Sequence, residues 1–286
     1  IEPDSIKSLV INDRYIGDAW DFKGKSIDYL VTADHCMVGF DRTGQYIELP
    51  ASEFCVNKRR VMMCAGTRSV PGLNWTDDEI RLYIWLAADG TIANTNLGRL
   101  RFKKQRKLEV SRALLTKMRI SFSDNKQKDG STCLNFTVPA KIMACQIKGL
   151  DRILLEVNQK QFEIVLDTYE ITDGHRTGDS VLIYSAKERE IDLLQEVAVL
   201  SGYRATKYSR QGTGFSPARQ HQLTVTKSPR VTIGAGVNKP VKVPFDGLTW
   251  CITNRNENFL CRRGGKVHLT GNSHGSMPDD PNSLSI

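Results

Sequence analysis

The sequence has no C-x-x-C pair among its seven cysteines, no apolar run approaching the roughly eighteen residues that cross a bilayer, and no basic-then-apolar opening in IEPDSIKSLV. The first absence, with the odd cysteine count, argues against structural zinc and a disulfide framework and leaves reduced, mostly buried thiols. The other two argue against a membrane span and a signal peptide, so a cytoplasmic protein with no membrane partner is expected. Lys and Arg outnumber Asp and Glu by 40 to 32, and the resulting charge of +8 favours polyanions without proving one as partner. With 286 residues, one large or two moderate domains are expected.

The first seventy residues read as short strands, with β-rich pieces such as DAWDF, IDYLVTA and QYIEL separated by Gly and Asp turns. SVPGLNW breaks that pattern, and Thr76 with Glu79 makes a capping box for a helix running to about Ala88, which puts a domain boundary near Pro71. Two diverged copies of one unit follow. The first is a helix, DDEIRLYIWLAA, ending in Asp89-Gly90, then the basic β-like run TIANTNLGRLRFKKQRK, then a helix near LEVSRALLTKM. The second is a helix, NQKQFEIVLDTYEIT, ending in Asp173-Gly174, then DSVLIYS, then AKEREIDLLQEVAVLSG and further basic strands. Ile80, Tyr83, Ile84 and Ala87, like Phe162, Val165, Leu166 and Tyr169, fall at the spacing of one helix face. After Pro229 short β-like segments return, and SHGSMPDDPNSLSI reads as a polar tail. The expected organisation is a β domain in two parts, 1–71 and 231–272, interrupted by a mixed segment at 72–230 and followed by a tail at 273–286.

Two amphipathic helices that each end in Asp-Gly have a chemical use. Packed side by side, they bring Asp89 and Asp173 to one edge of their interface, where the carboxylates repel unless a cation intervenes. Hard divalent ions such as Mg²⁺ accept such oxygens together with phosphate oxygens, the requirement of metal-assisted phosphodiester hydrolysis. Gly90 and Gly174 complete this candidate metal site by letting the chain turn sharply from helix to strand. A single Asp-Gly after a helix is a commonplace turn; two on matching units are harder to dismiss. In GRLRFKKQRK, Arg99, Arg101 and Lys103 alternate and share one face of a strand, which suits a basic surface laid along a DNA groove. A guarded edge strand is the alternative. Arg204, Lys207, Arg210, Arg219 and Lys227 lie at the corresponding place in the second copy.

YIWLAADGTI resembles the LAGLIDADG motif, FEIVLDTYEITDG its second, degenerate copy, and SAKEREIDLLQEVAVLSGYRAT the helix that follows it in intein-borne members of that homing endonuclease family. The resemblance implies an α+β fold: a pseudo-twofold αββαββα monomer whose saddle-shaped sheets grip a long double-stranded DNA site. It implies site-specific hydrolysis with Mg²⁺ held by Asp89 and Asp173, and basic help at the scissile phosphates from Lys104 and Lys207. Arg99, Arg101, Lys103, Arg204 and Arg210 are the expected DNA contacts. Ile84 and Asp167 replace residues often small in the helix interface, whereas Ala87, Ala88, Thr168 and Thr172 stay small. DNA binding without cleavage is the alternative.

The flanking β segments resemble the intein (Hint) fold. IDYLVTADHCMV looks like the block containing Thr-x-x-His, here Thr32 and His35, which implies that His35 acts on a scissile peptide with Thr32 orienting it. GLTWCITNRNENFLCRRGGKVHLTGNS resembles the last two blocks, with Asn272 as the cyclising residue and Ser273 as the acyl acceptor. Gly271 and Glu257 stand where the family often has histidines, and His268 is expected to be a solvated surface residue. Cys251 with Thr270 matches a subset using an internal nucleophile, although Met37 stands where that subset has tryptophan. The chain begins at Ile1, about thirty residues short of the family's first block on usual domain sizes. An incomplete Hint domain lacking its N-terminal part is therefore expected, splicing only with an N-terminal intein fragment supplied in trans.

Overall fold

The computed structural model describes residues 6–66, 70–93, 96–145, 149–212 and 219–272, together with the backbone of Leu284 and Ser285. Contacts divide the chain into two compact units: Ile1–Arg68 with Gly202–Thr206 and Thr226–Ile286, and Ser69–Ser201 with Lys207–Val225. The second unit is thus inserted in the first, with Gly202–Thr206 returning to the first in mid-sequence. That short return has a local cause, the antiparallel pairing of Thr206 with Lys266.

The first unit opens with β1 (Ser8–Lys23), β2 (Asp28–Thr32), β3 (Cys36–Phe40), β4 (Tyr46–Pro50), a short helix α1 (Ala51–Phe54) and β5 (Arg59–Met62). β3, CMVGF, is buried along nearly its whole length, and β3, β4 and β5 pair in antiparallel fashion. Phe22, Ile27, Tyr29, Met37, Phe54 and Val61 share one core.

Residues 77–226, most of them in the second unit, hold two copies of one plan. The first copy is α2 (Asp77–Asp89), β6 (Gly90–Ile92), β7 (Leu97–Phe102), α3 (Gln105–Lys117), β8 (Phe122–Lys126) and β9 (Thr132–Thr137), followed by a short α4 (Ala140–Met143). The second copy is α5 (Gln159–Ile171), β10 (Gly174–Thr177), β11 (Ser180–Ser185), α6 (Glu188–Leu200), β12 (Arg204–Arg210) and β13 (Gln220–Thr226). One sheet runs β6-β7-β9-β8, and the first four of the six strands in another run β10-β11-β13-β12, the same connection order twice. Each copy reads αββαββ, so the duplication seen as sequence pattern is also a duplication of topology.

Both leading helices start on a full capping box, Thr76 with Glu79 and Asn158 with Gln161. Such caps stabilise a helix start by about 1 kcal/mol each. Ile80, Leu82, Tyr83, Ile84, Trp85 and Leu86 of α2 are buried, so this helix is covered on more than the single face its spacing predicts. Gln161 also clasps the backbone of Leu73, accepting from its N–H at 2.8 Å and donating to its carbonyl at 2.8 Å. Gln161→Leu orphans both backbone groups, at roughly 1–3 kcal/mol each. The expected loss is about 2–6 kcal/mol of stability in the second unit, read from the urea midpoint.

The chain then re-enters the first unit through β14 (Arg230–Ile233), β15 (Val241–Thr253), β16 (Asn258–Arg263), β17 (Lys266–Gly271) and β18 (Leu284–Ser285). β14 pairs with β5, and β15 pairs with β1 from Ser8 opposite Thr253 to Asp21 opposite Val241, with one register shift between Asn12 and Tyr15. β16 and β17 form a hairpin, and β17 returns Leu269 to the cluster of Cys36 and Val38.

Candidate acidic centre and nucleic-acid interface

α2 and α5 pack against each other, and their carboxyl ends carry the acids. Asp89 is the last residue of α2; Asp173 lies two residues beyond the end of α5. A helix carboxyl end is the negative end of its dipole, so a carboxylate there is unfavourable until a cation answers it. Lys107 of α3 supplies one. Its Nζ lies 2.6 Å from Asp89 Oδ2 and 3.6 Å from Asp173 Oδ1, with a side chain only 10% exposed. The acids of the two copies therefore meet within the span of one ammonium group. Burial, and then the charge of Asp89, raise the Asp173 carboxyl above its ordinary range, while Lys107 pulls it back.

The glycines after the acids serve a different purpose from the one expected. Gly90 has φ −101, an ordinary extended conformation, and neither Gly90 nor Gly174 adopts positive φ. Space is what they provide. A Cβ at Gly174 would lie 2.4 Å from the Leu182 carbonyl oxygen, and one at Gly90 would lie 2.6 Å from Leu86 Cα. Gly174→Ala is expected to cost about 1–3 kcal/mol through forced backbone shifts, measured as a lowered Tm.

Lys107 was not among the residues the sequence pattern singles out, although a signal exists. Lys107, Leu108, Ser111, Leu114 and Leu115 form the buried face of α3, and a lysine on a buried face needs a partner. The two lysines chosen from sequence stand elsewhere. Lys104 is the exposed residue preceding α3, and Lys207 is held by Asp192 at 2.7 Å and Glu188 at 2.8 Å, its side chain 12% exposed.

β7 alternates as its sequence predicts: Gly98, Leu100 and Phe102 are buried, Arg99 and Arg101 exposed. Pairing extends the exposed face sideways. Arg99 stands opposite Thr91 and Asn135, and Arg101 opposite Cys133, with Ser123 and Asn125 on the outer strand. The face is polar and rich in hydrogen-bonding groups of the kind that read base edges. Arg101 and Lys103 share Asp129 at 3.0 and 3.5 Å, and Ser131 accepts from Arg101 Nε at 2.8 Å. Ser131 and Arg101 hold the Asp129 carboxyl well below the usual range. In the second copy Gln220, Gln222 and Thr224 alternate with buried His221, Leu223 and Val225, and Arg210 is exposed at the end of β12. Arg204 belongs to the first unit, where its Nη1 donates to the Arg230 carbonyl at 3.4 Å.

In the first unit, two short sequence motifs far apart in the chain come together. His35 Nε2 lies 2.6 Å from Thr270 Oγ1, and the His35 N–H donates to the Thr32 carbonyl across a turn at 3.3 Å. Burial lowers the His35 imidazole to about 4, so it is neutral at physiological pH. His268 is not the solvated histidine expected from the sequence: it is 3% exposed, its ring 3.6 Å from that of Tyr29 and its Nε2 2.9 Å from Cys261 Sγ. β17 is buried on both faces from Val267 to Gly271, so its pleat offers His268 no solvated side. The Asn272 N–H donates to the Glu257 carbonyl at 2.9 Å, and the Asn272 Oδ1 is buried with no hydrogen-bond partner among the described residues. A Cβ at Gly271 would lie 2.9 Å from the Cys36 carbonyl oxygen, which explains why no larger residue stands there. Cys251 lies in β15 opposite Val10, its sulfur 3.9 Å from the Ile252 carbonyl oxygen. Ser273 lies outside the described residues.

Fold and acidic centre together define a mixed α and β protein with a duplicated αββαββ unit and paired carboxylates at the helix seam. No protein-family model and no curated protein sequence matches the chain. Among solved structures, full-length DUF199/WhiA from "Thermatoga maritima" is similar over 55% of this chain, at 10% identity and TM-score 0.39, and this chain spans about half of its length, 53%. The N-terminal LAGLIDADG domain of DUF199/WhiA is similar over 53% of this chain and 78% of its own, at 10% identity and TM-score 0.37. The homing endonuclease I-DmoI, solved as mesophilic variants, is similar over 52% of this chain and 88% of its own, at 11% identity and TM-score 0.37. A structure of I-DmoI in complex with DNA and Ca matches at 9% identity, covering 52% of this chain and 83% of its own, with TM-score 0.37. Likeness at this level says nothing of activity, which rests on the side chains themselves.

Proposed function

We propose that the second unit is a LAGLIDADG-type endonuclease that hydrolyses both strands of a specific double-stranded DNA site with Mg²⁺. The observation that carries this reading is the meeting of Asp89 and Asp173 around one ammonium group. The donor set fits a hard divalent ion: Mg²⁺ commonly takes one or two carboxylates and completes its shell with water and substrate phosphates. Among the described residues no cluster of three or more His, Cys, Asp and Glu side chains surrounds one point, so phosphate and water oxygens have to complete the shell. When bound, the ion would supply an activated water and neutralise charge on the leaving oxygen.

The chain's own groups have separate roles in this reading. Asp89 and Asp173 hold the ion at the helix seam; Lys107 limits their repulsion. Exposed Lys104 offers charge to the backbone phosphates. Arg99 and Arg101 reach base edges from β7, while Asp129 fixes the guanidinium of Arg101 so that less rotamer freedom is lost on binding. Lys103 and Arg210 add phosphate contacts. Arg99→Ala is expected to weaken binding by about 1–3 kcal/mol at a cognate site and relax the base preference beneath it. Fluorescence anisotropy on a panel of single-base variants reads both effects.

The test is cleavage of a duplex carrying the uninterrupted host gene at the insertion point, with Mg²⁺ against EDTA. Cutting that requires the metal and both aspartates supports the reading; cutting that survives their replacement overturns it. DNA binding without cutting is the second reading, favoured by the cation already placed between the acids. Tight, sequence-dependent binding with no cleavage in Mg²⁺ or Mn²⁺ would decide for it.

For the first unit, the proposal is a Hint-type domain, supported by the contact of His35 with Thr270 across the inserted unit's sequence. Asn272 is the cyclising residue: its side-chain nitrogen attacks its own backbone carbonyl, the bond to Ser273 breaks and Ser273 leaves as the amine. Cys251 is the candidate internal nucleophile, and Thr32 orients His35. Mixing the chain with an N-terminal intein fragment and weighing the products tests this; absence of ligated product together with an uncut Asn272–Ser273 bond removes it.

A further inference from the structure

Lys107 is the least expected group in the acidic centre. It occupies the third position of α3, and the third position of the equally long α6 is Glu190. The two copies thus place opposite charges at corresponding points. Glu190 accepts from Ser185 Oγ at 3.0 Å and from Lys187 Nζ at 2.8 Å, and its charge adds to that of Asp89 in raising the Asp173 carboxyl. Lys107, by contrast, reaches both acids with its stem packed away from water. A buried ammonium of this kind is retained because carboxylates compensate its desolvation. The same carboxylates are the donors a divalent ion needs.

We propose that Lys107 is a built-in counter-ion that joins the two acidic helix ends when no metal is bound, and that a divalent ion enters only by displacing its ammonium from Asp89. The inference rests on the reading of Asp89 and Asp173 as metal donors, and it makes occupation of the centre a competition between two cations. Three consequences follow from the geometry. The metal-free chain keeps its seam closed, divalent affinity is set below what two carboxylates alone would give, and entry of the ion releases a positive charge beside the bound phosphates. Glu190 cannot take that part in the second copy, so the control is one-sided.

The experiment uses the full chain without DNA. Mn²⁺ binding is measured by calorimetry, and Tm is measured in EDTA and in millimolar Mn²⁺, for the wild type, Lys107→Met and, at an exposed lysine of α5, Lys160→Met. Lys107→Met is expected to bind Mn²⁺ at least about tenfold more tightly than the wild type, since a competing charge within ion-pair distance has been removed. Its Tm should fall in EDTA and recover in Mn²⁺, whereas the wild-type Tm should change little. Lys160→Met should match the wild type in both. Equal Mn²⁺ affinity in wild type and Lys107→Met overturns the proposal. If Lys107→Met does not fold, nitrogen NMR of the wild-type lysine side chains decides: the Lys107 ammonium signal, slowed in exchange by its pairing, should disappear or shift on saturation with Ca²⁺. A signal unchanged at saturation overturns the displacement. A chain that shows the competition but cuts no DNA loses the nuclease reading and keeps this one; a chain that cuts while Lys107→Met gains no affinity does the reverse.

Discussion

Replacing either Asp89 or Asp173 by asparagine is expected to lower the rate of DNA cleavage by about a thousandfold or more while leaving DNA affinity within a few-fold of wild type. The size follows from what the pair holds in the proposed mechanism: metal-assisted charge stabilisation is worth several kcal/mol, and each 1.36 kcal/mol is about tenfold in rate. Affinity should persist because the groups proposed to touch DNA, Arg99 and Arg101 among them, lie on β7 rather than at the helix ends. The substitutions differ in their side effect. Asp89 holds the shorter contact to Lys107, 2.6 Å against 3.6 Å for Asp173, so Asp89→Asn leaves the buried ammonium poorly paired. Asp89→Asn should therefore also lower Tm, by more than Asp173→Asn does, because an uncompensated buried charge is costly. Single-turnover cleavage and thermal melts on the same preparations separate the two effects. Equal cleavage by either variant and the wild type would remove both acids from the chemistry.

Acid lability of the first unit is the second large expected effect. Burial, followed by the charges of His35 and Arg263, lowers the His268 imidazole to about 3, and burial lowers that of His35 to about 4, against an ordinary 6.5. Above pH 6.5 both are neutral in the folded and unfolded chain, and neither makes stability depend on pH. Below it the unfolded chain takes up protons that the folded chain refuses. Stability should then fall as pH drops, by up to about 1.4 kcal/mol per pH unit for each histidine. The window closes near pH 4 for His35 and near pH 3 for His268. His268→Gln, which keeps a hydrogen-bonding group without the titration, should flatten the slope. Melts from pH 7.5 to 4.5 whose slope is the same in wild type and variant would contradict the burial-driven account. Asp173 works in the opposite sense, since its raised carboxyl favours the protonated form and gives the second unit a small gain as that carboxyl takes up its proton.

Local chemistry was the part of this protein that could be read directly. The capping box of Thr76 and Glu79 starts α2, the alternation in LGRLRF puts Arg99 and Arg101 on one face, and the repeated order of elements announces a duplicated unit. Each signal depends on residues within a few positions of one another, where helix and strand periodicity apply. His268 shows the limit. A lone histidine is expected to be solvated, yet β17 carries His268 against Tyr29 and Cys261. Nothing within β17 alone specifies that both of its faces are covered.

The sequence by itself determined the two amphipathic helices with their acidic ends, the basic strand after the first of them, and the β character of both flanks, because side-chain spacing and turn chemistry act over short range. Tertiary structure alone decided that Lys107 reaches both Asp89 and Asp173, that Asp129 takes hold of Arg101 and Lys103, and that His35 meets Thr270. Those contacts join residues distant in the chain, and their partners are selected by the packing of helices and the register of strands, which no local pattern encodes.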